Sequence, residues 1–153
     1  MVELAGLLVE RTVIMGVGNW LKRDDALGPL VIKALTDRGF AKYPLLDAGT
    51  TPENHLGRIA RLRPDLLLII DAADFGAEPG TIALFRPDEI SLNSFSTHNL
   101  SLKTFAEYLK QTLHGLKVVL LGVQPADAGL GEGVSRPVGA AIERIAGLFI
   151  ARQ

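Results

Sequence analysis

The chain has no cysteine. That removes disulfides, cysteine-based zinc sites and a thiol nucleophile together, and it fits a reducing compartment. Neither sign of charge prevails: 16 basic residues against 17 acidic leave a net charge of -1. No basic cluster stands out, so nothing points to a nucleic-acid partner. Long apolar runs are missing too. Leu66 to Ile70, among the longest, falls far short of the roughly 20 residues that span a bilayer. The opening stretch MVELAGLLVER carries Glu3, lacks a basic start and reads poorly as a signal peptide. These absences lead us to expect a cytoplasmic chain with no membrane insertion.

What is present is an ordinary globular mix. Of the 153 residues, 48% are hydrophobic and 22% charged. One domain over residues 1–153 is expected, with a core large enough to stand without staples. Five short apolar runs read as strands: Thr12 to Val17, Tyr43 to Leu46, Leu66 to Ile70, Thr81 to Phe85 and Lys117 to Leu121. Helical patterns separate most of them. Ala26, Leu27, Leu30, Val31, Ala34 and Leu35 form one stripe, and Gly39 follows as a stop. Leu56, Ile59 and Leu62 mark a second helix, opened by Thr50-Thr51-Pro52-Glu53 and closed by Pro64. Leu102, Phe105, Ala106, Leu109 and Leu113 mark a third, and Val138, Ala141, Ile142, Ile145 and Phe149 the last. Strands alternating with helices argue for an α/β fold, a three-layer α/β/α sandwich around a five-stranded, mostly parallel sheet. Only Asp71 to Gly80 joins the third and fourth strands. A parallel crossover needs a dozen or more residues, so one antiparallel strand is expected. The glycine-rich residues 126 to 136 read as a surface loop.

Such a sheet gathers distant residues at one edge. The first three strands end at Gly16–Asn19, at Asp47-Ala48-Gly49 and at Asp71, and the fifth at Gly122-Val123-Gln124-Pro125. If the strands are parallel, Asp25, Asp71 and Asp47 surround one crevice, where open α/β folds keep their chemistry. Gln124 adds an amide there. Two carboxylates and an imidazole can hold a divalent cation or share proton transfer. His98, in the polar stretch Ser96-Thr97-His98-Asn99, is the candidate imidazole.

Each residue also has a plainer reading. Asp24 or Asp25 caps the following helix. Asp71 caps a turn. Glu53 completes a capping box with Thr50. Lys22 and Arg23 are solvated loop charges. His55 and His114, with no acids nearby, read as structural, and most aromatic residues read as core. The turn GVGN also hints at a nucleotide phosphate. However, a dinucleotide fingerprint needs a third glycine where this chain has Leu21, and Asp24 and Asp25 would repel a phosphate.

Taken together, GVGNWLKRDDALGP, LLDAGTTPEN, LLLIIDAAD, STHNLSL and LGVQP resemble the motifs of the hydrogenase maturation proteases, in family order and approximate spacing. The likeness covers nearly the whole chain. LDAGTTPEN and GVQP look closest to the branch that processes formate-hydrogenlyase-type hydrogenases. The resemblance implies an endopeptidase that removes a C-terminal extension from the large-subunit precursor of a nickel–iron hydrogenase. It implies metal ligation and catalysis by Asp25, Asp71 and His98. The ion is the nickel already placed in the precursor, with another divalent cation in the resting enzyme as an open alternative. A monomer is expected. The chain departs from many members at Ala26, a glycine elsewhere, and at Asp47-Ala48-Gly49, where an aspartate-glycine-glycine turn is common. Two rival readings stand beside it: a nucleotide-binding α/β module and a non-catalytic chaperone of hydrogenase assembly. The carboxylates are expected at the cleft rather than in the core, so that neutralising them costs little stability.

Overall fold

The computed structural model describes residues 2–86, 89 and 99–153. Five strands, β1 (Thr12–Val17), β2 (Leu45–Gly49), β3 (Leu66–Ala72), β4 (Ile82–Phe85) and β5 (Lys117–Val123), form one sheet in the order β2-β1-β3-β5-β4. β1, β2, β3 and β5 pair in parallel, and β4 runs antiparallel to β5. The antiparallel strand expected from the short Asp71–Gly80 connection is therefore β4. It passes over β5 to the sheet edge instead of pairing with β3.

The helices are α1 (Val2–Leu7), α2 (Leu27–Asp37), α3 (Leu56–Leu62), α4 (Asn99–Thr112) and α5 (Arg136–Ile150). Side chains alternate across each strand, and the two faces have separate cores. Ile14, Leu68, Ile70, Leu121 and Val123 face α1, α2 and α5, in a cluster that includes Leu4, Val31, Leu35, Ile145 and Phe149. Val13, Met15, Leu67, Ile69 and Leu120 face α3 and α4, meeting Ile59, Phe105 and Leu109. β1 and β3 are buried on both faces, as central parallel strands require, so Val13–Val17 and Leu66–Ile70 read as unbroken apolar runs.

Several boundaries moved. α1 was not foreseen, because six residues carry too little periodicity to register. β2 starts and ends later than the run Tyr43 to Leu46 implies, because Asp47 lies inside the strand. The helix expected from Asp25 instead opens with a tight 3-10 turn, Arg23–Ala26, before α2. Gly39, at φ +72°, does end α2. No Thr50–Glu53 capping box forms. A 3-10 turn, Pro52–His55, starts after Thr51 without any side-chain cap. Among the described residues no helix is long and apolar enough to cross a membrane.

Candidate active site

The chain leaves β1 for one side of the sheet and, after β2, returns to β3 on the other. Connections diverge between β1 and β3, and this opens a crevice at the carboxyl ends of the two strands. Asp25 follows β1 and Asp71 lies near the end of β3. The strand order itself thus brings these two together.

Gly28 sets how closely α2 approaches. A Cβ there would stand 2.2 Å from the Val17 carbonyl oxygen and 2.4 Å from that of Ile70. Only a residue without a side chain lets the helix start rest on both central strands. Gly18, at φ +153°, makes a second close approach: its Cβ would meet the Asp25 carbonyl oxygen at 1.9 Å. The Asn19 N–H donates to that carbonyl at 3.1 Å and to the Asp25 carboxylate at 3.2 Å. The Gly18 N–H donates to the Gly49 carbonyl. The amides that a phosphate would need are therefore spent on the chain itself. The glycines of GVGN seat the acid turn and do not cradle a nucleotide.

Asp71 points, by alternation, to the face that carries Leu67 and Ile69, which is the α3 and α4 face. It is 1% exposed, and its Oδ1 has no hydrogen-bond partner among the described residues. Burial raises its pKa well above the ordinary carboxylate range, and the nearby Asp25 charge raises it further. One backbone hydrogen bond from Ala72 pulls weakly the other way. Asp25 is 5% exposed. Both acids are thus more deeply set than the sequence implied, and a helix cap explains neither. Neither the Arg23–Ala26 turn nor α2 has a side-chain cap, and Asp71 lies within a strand.

Asp24, beside Asp25, has a different task. Its carboxylate accepts from the Ala126, Asp127 and Ser135 N–H groups and from the Ser135 hydroxyl, at 2.7 to 2.9 Å. Burial alone would raise its pKa, but these four bonds outweigh it and hold the carboxyl below its usual value. Asp24 therefore pins the loop after β5 to the acid turn. Arg23 adds to the tie. Its guanidinium pairs with Asp127 at 3.0 Å and donates to the Leu130 carbonyl, and its N–H donates to Gly131. These bonds hold Arg23 in the left-handed region, at φ +36°. Arg23 thus stays a partly solvated charge that engages an acidic partner, Asp127.

The remaining candidates separate. Asp47 does not join the crevice. β2 alternates Leu46 and Ala48 into the α3 and α4 core, so Asp47 turns to the opposite face, exposed, and accepts from the Gly49 N–H. Ala48 packs in that core and Gly49 takes the positive φ of +53°, so the missing glycine leaves the turn intact. His98, immediately before α4 in the sequence, lies outside the described residues. Among the described residues no three metal-ligating side chains cluster. Gln124 is buried and folds the connection from β3 to β4: its Oε1 accepts from Phe75 and Ala77, and its Nε2 donates to Asp74. Its amide is a brace for that segment. Glu53 and His114 are exposed, and His55 is half-buried.

Sequence reasoning missed the anchoring role of Asp24 and the exposure of Trp20. A carboxylate that bonds residues more than 100 positions away leaves no local signal. Trp20 could have been suspected, since it stands in a polar turn between Asn19 and Lys22 and outside any periodic stripe.

Comparison with known proteins gives this geometry its class. A family described as "HycI: Hydrogenase maturation protease" matches residues 29–152. The hydrogenase 3 maturation protease of Escherichia coli K12 is 34% identical over 134 residues, 87% of this chain and 85% of the relative. The crystal structure of a [NiFe] hydrogenase maturation protease from Thermococcus kodakarensis superposes with a TM-score of 0.83 at 36% identity, covering 93% of this chain and 91% of that one. The solution structure of an E. coli endopeptidase of the same kind gives 0.82 at 34% identity, covering 92% and 89%. Fold and relatives define a peptide-bond hydrolase. The chain belongs to the hydrogenase maturation protease family.

Proposed function

We propose that this endopeptidase removes the C-terminal extension of a nickel–iron hydrogenase large-subunit precursor after nickel has been inserted. Asp25, Asp71 and His98 recognise the nickel that the precursor carries. One observation carries the reading: a buried carboxyl, Asp71, beside a second acid and with an oxygen that has no partner among the described residues. Such a group costs free energy in the resting protein, so an arriving cation or proton donor repays it. Two carboxylates and an imidazole suit a divalent cation of intermediate softness. A resident divalent cation of the enzyme is the alternative, and the test below separates it from nickel brought by the substrate.

In the proposed reaction, water adds through its oxygen to the scissile carbonyl carbon. An Asp25 or Asp71 carboxylate takes the proton from that water. The C–N bond then breaks and the proton passes to the leaving amine. The lack of cysteine supports the same setting, a reducing cytoplasm.

The test is to mix the purified protein with its precursor, with and without nickel loaded, and weigh the products by mass spectrometry. The expected result is loss of a C-terminal peptide from the nickel-loaded form alone. Cleavage without nickel would keep the protease but discard the recognition step. Tight binding with no cleavage of the loaded form would favour an assembly chaperone. Asp25→Asn, Asp71→Asn and His98→Ala are each expected to abolish cleavage, and normal processing by all three would sink the site assignment.

A further inference from the structure

Three large apolar side chains stand in water on the two loops that Asp24 and Arg23 lock together. Trp20 is 43% exposed, Leu21 66% and Leu130 77%. The loops are bound to each other through the Leu21 carbonyl, which accepts from the Gly131 N–H, and through the Leu130 carbonyl, which accepts from Arg23. The exposure is therefore built in, since the backbone beneath these side chains is fixed. Trp20, Leu21, Ala26, Leu30 and Val134 line a groove of about 320 Å³ that starts one residue from Asp25. Leu30 and Val134 also line the next groove, of about 390 Å³, which runs on between α2 and α5. The two together make one elongated trough leading away from the acid turn. Four of the five charges along it are paired in the chain, Arg23 with Asp127, Lys33 with Asp37 and Glu143 with Arg38, and Glu132 is the one charge on the rim with no ion pair among the described residues. An occupant gains little there from charge and much from apolar area.

We propose that this trough docks an extended, apolar, uncharged segment of the precursor next to the bond that is cut, with Trp20 as its anchor. The inference rests on the processing function given above. Nearness to the acid turn selects this occupant: Arg23 and Ala26, which flank the Asp24–Asp25 pair, line the near end of the trough, so a chain held at Asp25 has the Trp20–Leu21 lip beside it. Elongation of the trough selects a peptide over a compact ligand, and the neutralised rim selects an apolar peptide over a charged one. A half-exposed tryptophan on a rigid loop is a suitable anchor, since it brings large area at small entropic cost.

Trp20 is the chain's only tryptophan, so it reports on its own contacts. The native protein is labelled with fluorotryptophan and titrated, in the cold to slow cleavage, with unlabelled nickel-loaded precursor. Binding is followed in parallel by co-elution. The expected result is a shift of the single fluorine resonance that saturates with complex formation. In the otherwise native enzyme, Trp20→Ala is expected to raise KM about tenfold while kcat stays within about twofold. Leu21→Ser, at an exposed position that lines the trough and where folding is not at risk, is expected to raise KM in the same sense. Co-elution with an unmoved resonance would overturn the docking site and leave the protease function standing. So would an unchanged KM in both variants. Affinity that collapses with added salt would show a charged segment in the trough, and would overturn the apolar one. Failure of the native enzyme either to bind or to cut the precursor would remove the function and the docking site together.

Discussion

Asp24 and Asp71 are both buried carboxylates at one edge of one sheet, and the protein treats them in opposite ways. Asp24 has four donors, and these hold its pKa down. Asp71 has an oxygen with no partner among the described residues, and burial and the Asp25 charge push its pKa up. The first carboxylate is spent on architecture, joining the acid turn to the loop after β5. The second keeps one oxygen without a partner among the described residues, at a cost that folding alone would select against. Full satisfaction marks a structural acid, and deliberate frustration marks one reserved for chemistry.

The contrast can be broken most forcefully at Asp24. Asp24→Ala leaves three loop amides without their acceptor, and we expect a loss on the order of 4 kcal/mol. Thermal unfolding should then begin about 8–16 °C lower. A melting temperature within about 2 °C of the native value would show that the loop holds itself.

Asp71 should respond in the opposite direction. Its folded pKa lies above its unfolded value, so the folded state keeps a proton that the unfolded state has released. Its contribution is most favourable below the ordinary carboxylate pKa and is lost as pH rises toward the folded value. Asp71→Asn removes that slope and is expected to stabilise the neutral-pH protein by on the order of 1 kcal/mol while abolishing cleavage. Denaturant titrations across pH check this. A variant that kept the native slope would place the buried charge elsewhere. For Asp24 the sign reverses: stability is lost as pH falls through its lowered pKa, and Asp24→Asn should remove that acid-side loss.

Smaller effects sharpen the comparison. Arg23→Ala removes an exposed pair and a carbonyl contact at the latch, with an expected loss of about 0.5 kcal/mol in denaturant unfolding. At the other edge of the sheet, Arg11 pairs with Asp65 in full view of solvent. Arg11→Ala should leave the melting temperature unmoved, because water screens such a pair.

Much of this was legible in the residues. The apolar runs Thr12 to Val17 and Leu66 to Ile70 were legible as strands, and their central place explains why few polar residues interrupt them, since strands covered on both faces bury almost every side chain. The short Asp71–Gly80 connection announced an antiparallel strand. Asp25 and Asp71 could be proposed together because residues at the carboxyl ends of parallel strands share one edge. Asp47 was misplaced by the same rule, which fixes the edge and leaves the face open. One step along β2 turns its side chain to the other side of the sheet.

The sequence by itself determined the five strands, the four longer helices, the layer architecture and the edge that holds the acids, because these follow from local periodicity and from how strands and helices must cover one another. Tertiary structure alone decided which acid is satisfied and which is not. Asp24 and Asp71 carry the same side chain with the same chemistry. Only the return of a loop about a hundred residues later gives Asp24 its donors, and only the depth of β3 strips water from Asp71.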